Sequence, residues 1–247
     1  MSLQDKINSI PELFDKEGDV IYSGRNVIKR MVLSDEKGDE HVMIVKRFGR
    51  MKWLQRICYS TFFVSKAKRA YEYAFSFLEK GIDTPKPIAY FEKKEGGLLK
   101  QCYLVTEECS LPDCRFICKD EENLLSTLNY FVPQLSAFIA RMHFAGILHG
   151  DLNLSNILYE RCGDGSIHFV VIDINRTRFV DNPSKKQCLK NMMRLTHDRK
   201  VSAMIVGEYA KQRGWNQQES INYVSGLLDA FERRNDIKHA IFGKTKR

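Results

Sequence analysis

The stretch His149-Gly-Asp-Leu-Asn-Leu-Ser-Asn156 constrains this chain more than any other. It follows a helical stripe of Leu135, Phe138, Ile139 and Met142 that stops at Gly146. It leads into two expected strands, Asn156–Glu160 and Ile167–Ile174, joined by the hairpin signal Asp164-Gly165. A polar loop held between an apolar helix and an apolar hairpin keeps its side chains in register. The Asp151 carboxylate can orient a hydroxyl and accept its proton, and the Asn156 amide oxygen is a hard, neutral donor suited to Mg²⁺. Val170-Val-Ile-Asp173 ends the second strand on another carboxylate, which is costly to bury unless it meets a cation.

Upstream, the periodicity is that of strands. Val20–Tyr22 and Val27–Leu33 flank the turn Ser23-Gly24-Arg25-Asn26, and His41–Phe48 reads as a third strand of an antiparallel meander. From Ser65 the period becomes helical, with Ala67, Ala70, Tyr71, Ala74, Phe77 and Leu78 in phase and Gly81 as the stop. Strands Ile88–Glu92 and Gln101–Thr106 follow, linked through Gly96-Gly97, and Glu107–Pro112 reads as a linker. Beyond Pro183 the pattern is helical to about Ile241. The order predicts an α+β chain of two lobes with a cleft, residues 1–108 binding a nucleotide and 109–247 carrying the catalytic and acceptor groups.

An Asp followed five residues later by an Asn, after a helix and before a strand, has the spacing of a phosphotransferase catalytic loop. Lys46, in Val-Met-Ile-Val-Lys-Arg-Phe, is expected to reach nucleotide phosphates, and Glu72 is expected to hold it extended. Gly24 and Arg25 are the expected phosphate-facing turn, with one glycine where a Gly-rich loop has three. Glu107, where the linker begins, is assigned to the nucleotide with them, and Asn156 and Asp173 to the metal. Arg176 and Arg178, just past Asp173, are candidates for an anionic group of the acceptor. His197-Asp198 reads as a helix-surface pair, because further metal ligands are lacking nearby.

These residues resemble the protein-kinase-like superfamily and, more narrowly, the bacterial lipopolysaccharide kinase (Kdo/WaaP) family, over about residues 20–200. The resemblance rests on Gly24-Arg25-Asn26, Ile44-Val-Lys46-Arg-Phe48, the Glu72 helix leading to Gly81-Ile-Asp-Thr-Pro85, His149-Gly-Asp151…Asn156 and Ile172-Asp173-Ile-Asn175-Arg176. It implies a two-lobed kinase-like fold, with a small antiparallel-sheet N-lobe and a reduced, mainly helical C-lobe. It also implies ATP and Mg²⁺ as cofactors, and a Kdo or heptose hydroxyl of the lipopolysaccharide inner core as acceptor. The location implied is cytoplasmic, peripheral to the inner membrane. Gly150 stands where kinases of proteins carry Arg, Asp173-Ile-Asn replaces Asp-Phe-Gly, and no Ala-Pro-Glu follows. A phosphorylated activation loop therefore lacks its usual anchor. A RIO-like or tyrosine protein kinase is the alternative, and the intact set of five residues disfavours a pseudokinase.

The charge needs a destination. The chain has 247 residues, with 39 Lys+Arg, 31 Asp+Glu and a net charge of +8. From His41 to Tyr71 there is no acid, and eight bases occur: Lys46, Arg47, Arg50, Lys52, Arg56, Lys66, Lys68 and Arg69. Removing these eight leaves 31 bases against 31 acids, so one segment carries the whole excess. Trp53, Tyr59, Phe62 and Phe63 interleave with them. Residues 46–69 thus suit an anionic membrane surface, where each base contributes about 1 kcal/mol. Nucleic acid is not expected, since no nucleic-acid motif accompanies the charge. No apolar run is long enough for a membrane span, and Met1–Phe14 lacks the core of a secretory leader. Seven irregularly spaced cysteines read as reduced thiols, and Cys109, Cys114 and Cys118 lack the Cys-x-x-Cys pair of a zinc site.

Overall fold

The structure, a computed structural model, describes residues 2–49, 59, 63–119 and 124–242. It divides into two compact units: Met1–Ser110 with Asp173–Asn175, and Leu111–Ile172 with Arg176–Arg247.

In the first unit, Ser2 and Asp5 form a capping box that starts α1 (Leu3–Asn8), and Pro11 sits in the first turn of α2 (Ile10–Leu13). Ile7, Ile10 and Phe14 recur three and four residues apart, so they share a face. All three are buried in one core with Met31, Met43, Val45, Tyr103 and Val105. No element was expected before Val20, yet the first residues complete the core.

The sheet contains β1 (Asp19–Ser23), β2 (Val27–Ser34), β3 (Glu40–Arg47), β4 (Pro87–Glu95) and β5 (Leu98–Glu107). Its order is β1-β2-β3-β5-β4, with every neighbouring pair antiparallel. Strand alternation sends Met43 and Val45 into the core with α1 and α2, and therefore Ile44 and Lys46 to the other face. That other face carries Phe48 and Cys102, packed with Ala67 of α3 (Lys66–Glu79). Ser65 caps α3 by accepting from the Lys68 N–H. Gly81 ends it at φ 69, where the Gly81 N–H bonds Leu78 O and the Ile82 N–H bonds Phe77 O. This is the Schellman arrangement that only a residue free to adopt positive φ completes cheaply.

The second unit is built on α4 (Leu124–Phe144), followed by the short strand β6 (Ile147–Leu148). The hairpin β7 (Ile157–Arg161) and β8 (Ile167–Val171) comes next, then β9 (Arg178–Phe179), which pairs with β6. Helices α5 (Lys185–Met192), α6 (Arg199–Gln212) and α7 (Gln217–Phe242) complete it. Phe131, Leu135, Phe138, Ile139 and Met142 of α4 are buried, and Phe138 stacks on Phe169 of β8 at 5.1 Å. The second hairpin strand was expected to reach Ile174. It stops at Val171, because Asp173 has φ 58, which no strand residue adopts. Asp198 caps α6 by accepting from the Val201 N–H, while His197 contacts Glu232. Among the described residues no helix is long and apolar enough to cross a membrane.

Candidate active site

Within the first unit, Lys46 lies on the central strand β3, opposite Ile28 and Leu104. Its Nζ donates to Asp173 Oδ1 at 2.6 Å and lies 5.3 Å from the Phe48 ring centre. Asn175 Nδ2 donates to the same oxygen at 2.6 Å. These bonds hold Asp173 in its left-handed backbone, a conformation that costs about 1–3 kcal/mol in a non-glycine residue. A lysine and an aspartate remote in sequence are thereby set as a pair on the sheet.

Glu72 does not join them. It is exposed, and its nearest cation is Lys68 at 3.8 Å, one turn earlier. The cause is helical phase. Ala70 and Ala74 define the buried stripe of α3, and Glu72 lies two residues from each, about 200° around the axis. The expected Lys46–Glu72 pair is therefore replaced by Lys46–Asp173.

The turn after β1 also departs from expectation. The Gly24 N–H is occupied by Asn26 O at 3.0 Å, and Arg25 is exposed. Asn26 Oδ1 accepts from the Gly49 N–H at 3.0 Å, stapling the turn to the end of β3. A Cβ at Gly49 would fall 1.8 Å from Arg25 O, so only glycine fits there. Glu107 ends β5 with its N–H on Lys86 O and its half-exposed carboxylate 3.9 Å from Lys86 Nζ.

Within the second unit, the loop after β6 is fixed by hydrogen bonds around His149, which is fully buried. The Asp151 N–H donates to His149 Nδ1 at 3.1 Å, so the ring proton sits on Nε2, which donates to Ile172 O at 3.0 Å. Asn156 Nδ2 donates to Asp151 O at 2.9 Å, which ties the two ends of the loop together. Gly150 has a steric reason for replacing a larger residue: a Cβ there would lie 2.2 Å from Arg176 O.

Two arginines flank the Asp151 carboxylate. Arg194 Nη1 lies 3.0 Å from Oδ1, and Arg176 Nη1 lies 3.8 Å from Oδ2. The closer contact lacks the alignment of a hydrogen bond, so Oδ1 is buried with no hydrogen-bond donor. The carboxylate faces a cavity of about 600 Å³, which His149, Arg176, Arg178, Lys190 and Arg194 also line.

A buried relay supports this loop from behind. Arg213 Nη1 donates to Tyr209 Oη at 2.9 Å, and Tyr209 Oη lies 2.8 Å from His143 Nδ1. His143 Nε2 lies 3.1 Å from Asn191 Oδ1, and Asn191 Nδ2 donates to His149 O at 2.5 Å. Asn191 Oδ1 can only accept, so His143 carries its proton on Nε2 and accepts a hydrogen bond from the Tyr209 hydroxyl at Nδ1. Burial pushes the His143 pKa down to about 4 and raises that of Tyr209. Sequence reading missed Arg194, Asn191, His143 and Tyr209. Of these, only His143, four residues after Ile139 and so in phase with the apolar stripe of α4, left a visible signal.

Arg50, Lys52, Trp53, Arg56 and Phe62, the middle of the basic aromatic segment, lie outside the described residues. Among the described residues no three His, Cys, Asp or Glu side chains cluster as a metal cage.

The model of the lipopolysaccharide kinase (Kdo/WaaP) family matches residues 29–220. No curated protein sequence matches the chain. Among solved structures, "WaaP in complex with acyl carrier protein" superposes with a TM-score of 0.60 at 17% identity, covering 96% of this chain and 97% of that one. A MAP kinase from Leishmania major gives a TM-score of 0.43 at 17% identity, over 90% of this chain and 65% of that one. The fold is protein-kinase-like, as the resemblance implied.

Proposed function

This chain belongs to the lipopolysaccharide kinase (Kdo/WaaP) family and is a phosphotransferase acting on a sugar hydroxyl, and we propose that it moves the γ-phosphoryl group of ATP to a Kdo or heptose hydroxyl of the lipopolysaccharide inner core. The observation that carries the reading is Asp151 Oδ1, buried on a cavity wall and without a hydrogen-bond donor. An acceptor hydroxyl supplies the missing donor. Asp151 then orients that hydroxyl in line with the phosphorus and takes its proton as the new P–O bond forms and the bond to the β,γ-bridging oxygen breaks, releasing ADP.

We assign Lys46 to the α and β phosphates of ATP and the carbonyl end of β5, at Glu107, to the nucleotide base. Asp173 and Asn156 are the residues that would hold Mg²⁺. An aspartate carboxylate and an amide oxygen whose nitrogen is already engaged are hard donors, and Mg²⁺ commonly takes one or two carboxylates with water and phosphate oxygens. When bound, the ion offsets charge on the transferred phosphoryl group. His149 contributes by geometry, since its two ring bonds fix the backbone from which Asp151 projects. Residues 46–69 are proposed as the contact with an anionic membrane surface that presents the lipid-anchored acceptor.

The test is transfer of label from γ-labelled ATP to Kdo₂-lipid A and to a heptosylated inner core. Label in either glycolipid supports the reading, and the better acceptor names the sugar. Label entering only the protein would refute it.

A further inference from the structure

The loop from Asp151 to Asn156 carries no cation of its own; Leu152, Asn153, Leu154 and Ser155 lie between them. Its polar side chains are turned back on the loop. Asn153 Nδ2 donates to Asp151 O at 3.0 Å, and Asn153 Oδ1 accepts from the Ser155 N–H at 3.0 Å. Phosphoryl transfer, however, spreads negative charge over three equatorial oxygens close to the group that receives the acceptor proton. Donors fixed there beforehand stabilise that charge without reorganising.

Arg194 supplies such donors. It is remote in sequence, but two hydrogen bonds register it on the loop. On one side of it, Asn191 Nδ2 donates to His149 O; on the other, Leu195 O accepts from the Leu154 N–H at 2.9 Å. Asp151 lies between His149 and Leu154, so the aspartate and the arginine share one frame. The Phe231 ring, 5.0 Å from the guanidinium carbon, covers one face of Arg194. Nη1 lies 3.0 Å from Asp151 Oδ1 without the alignment of a hydrogen bond, and the side chain is 41% exposed on the cavity wall. A guanidinium that is steered but not locked keeps its planar fork of N–H groups for other oxygens. Arg176 is farther away, 3.8 Å from Oδ2.

We propose that Arg194 is a catalytic residue whose guanidinium binds the phosphoryl group in transit. The acceptor oxygen forms its bond to phosphorus, the bond to the β,γ-bridging oxygen breaks, the hydroxyl proton goes to Asp151 and ADP leaves. Arg194 transfers no proton; it donates hydrogen bonds to the equatorial oxygens and offsets their charge. The inference rests on Asp151 as the group that receives the proton. It does not depend on which hydroxyl reacts, so it holds equally when water is the acceptor.

The experiment compares full-length wild type, Arg194→Ala and Arg194→Lys, with Mg²⁺ throughout. Three quantities are measured: ATP hydrolysis without acceptor, transfer to Kdo₂-lipid A, and calorimetric binding of ADP with and without aluminium fluoride, which stands in for the phosphoryl group in transit. Arg194→Ala is expected to lower kcat of both reactions about a hundredfold or more, with KM for ATP within about threefold and the melting temperature unchanged. It should also remove the tighter binding that aluminium fluoride gives ADP in the wild type. Arg194→Lys keeps the charge and loses the fork; it should cost about tenfold in kcat, and it serves if the Ala variant fails to fold. Wild-type kcat in a folded variant, a loss confined to the glycolipid reaction, or a fluoride effect that is absent in the wild type or undiminished in the variants overturns the proposal. Failure of the lipopolysaccharide reading shows differently, as hydrolysis and fluoride-dependent binding that fall with Arg194→Ala while no glycolipid is labelled.

Discussion

His143 offers a clean thermodynamic test of how the Asp151 loop is supported. Its ring is fully buried between Tyr209 Oη and Asn191 Oδ1, and burial lowers its pKa from 6.5 to about 4. The folded pKa lies below the unfolded one, so between about pH 4 and 6.5 only the unfolded chain holds the extra proton. Stability is then complete above about pH 6.5 and falls as the pH drops toward 4. The slope is about 1.4 kcal/mol per pH unit, and the total loss is about 3 kcal/mol. Gln at 143 retains a donor for Asn191 and an acceptor for Tyr209 but does not titrate. In a Trp53→Phe background Trp215 is the remaining tryptophan, and it lies 5.8 Å from the Tyr209 ring. Urea unfolding followed by Trp215 fluorescence from pH 4.5 to 8 thus reports on the right unit. The wild-type minus His143→Gln stability difference should be flat above pH 7 and fall by about 1.4 kcal/mol per unit below 6. Parallel curves would refute the neutral, buried histidine and the relay built on it.

Other outcomes follow from the same geometry. Gly150→Ala, which drives a Cβ to 2.2 Å from Arg176 O, should lower kcat about tenfold or more with ATP affinity within about twofold, checked by steady-state kinetics. Glu72→Gln should change kcat/KM by less than about threefold, because its carboxylate faces solvent beside Lys68; a loss of about a hundredfold would restore it as the partner of Lys46. Neutralising Arg50, Lys52 and Arg56 together should abolish sedimentation with anionic vesicles, at about 1 kcal/mol per charge, and undiminished sedimentation removes the membrane contact.

Period changes carried most of the fold. The three-strand meander, the Ser65–Gly81 helix, the Asp164-Gly165 hairpin and the helical end were all legible, because each is encoded by local alternation, caps and turn residues. The first helices left little signal because Ile7, Ile10 and Phe14 are spread over helices of six and four residues and the turn after them, too short for a sustained helical period. Glu72 misled by its identity as a lone acid, although the helical wheel already set it opposite Ala70 and Ala74. Lys46, Asp151, Asn156 and Asp173 could be singled out because strand ends and catalytic loops have fixed spacings. Arg194 and Asn191 could not: they reach the Asp151 loop from the end of α5, through packing that no local pattern encodes. Asp173 paired with Lys46 across 127 residues is likewise a tertiary fact.

Asp151 is proposed to orient and deprotonate a sugar hydroxyl of lipopolysaccharide. Its most direct test is single-turnover transfer from γ-labelled ATP to Kdo₂-lipid A by wild type and Asp151→Asn, with ATP affinity measured in parallel. The expected result is a loss in rate of about a hundredfold to ten-thousandfold, with ATP affinity changed by less than about threefold. Label reaching the glycolipid at the wild-type rate in Asp151→Asn would contradict it.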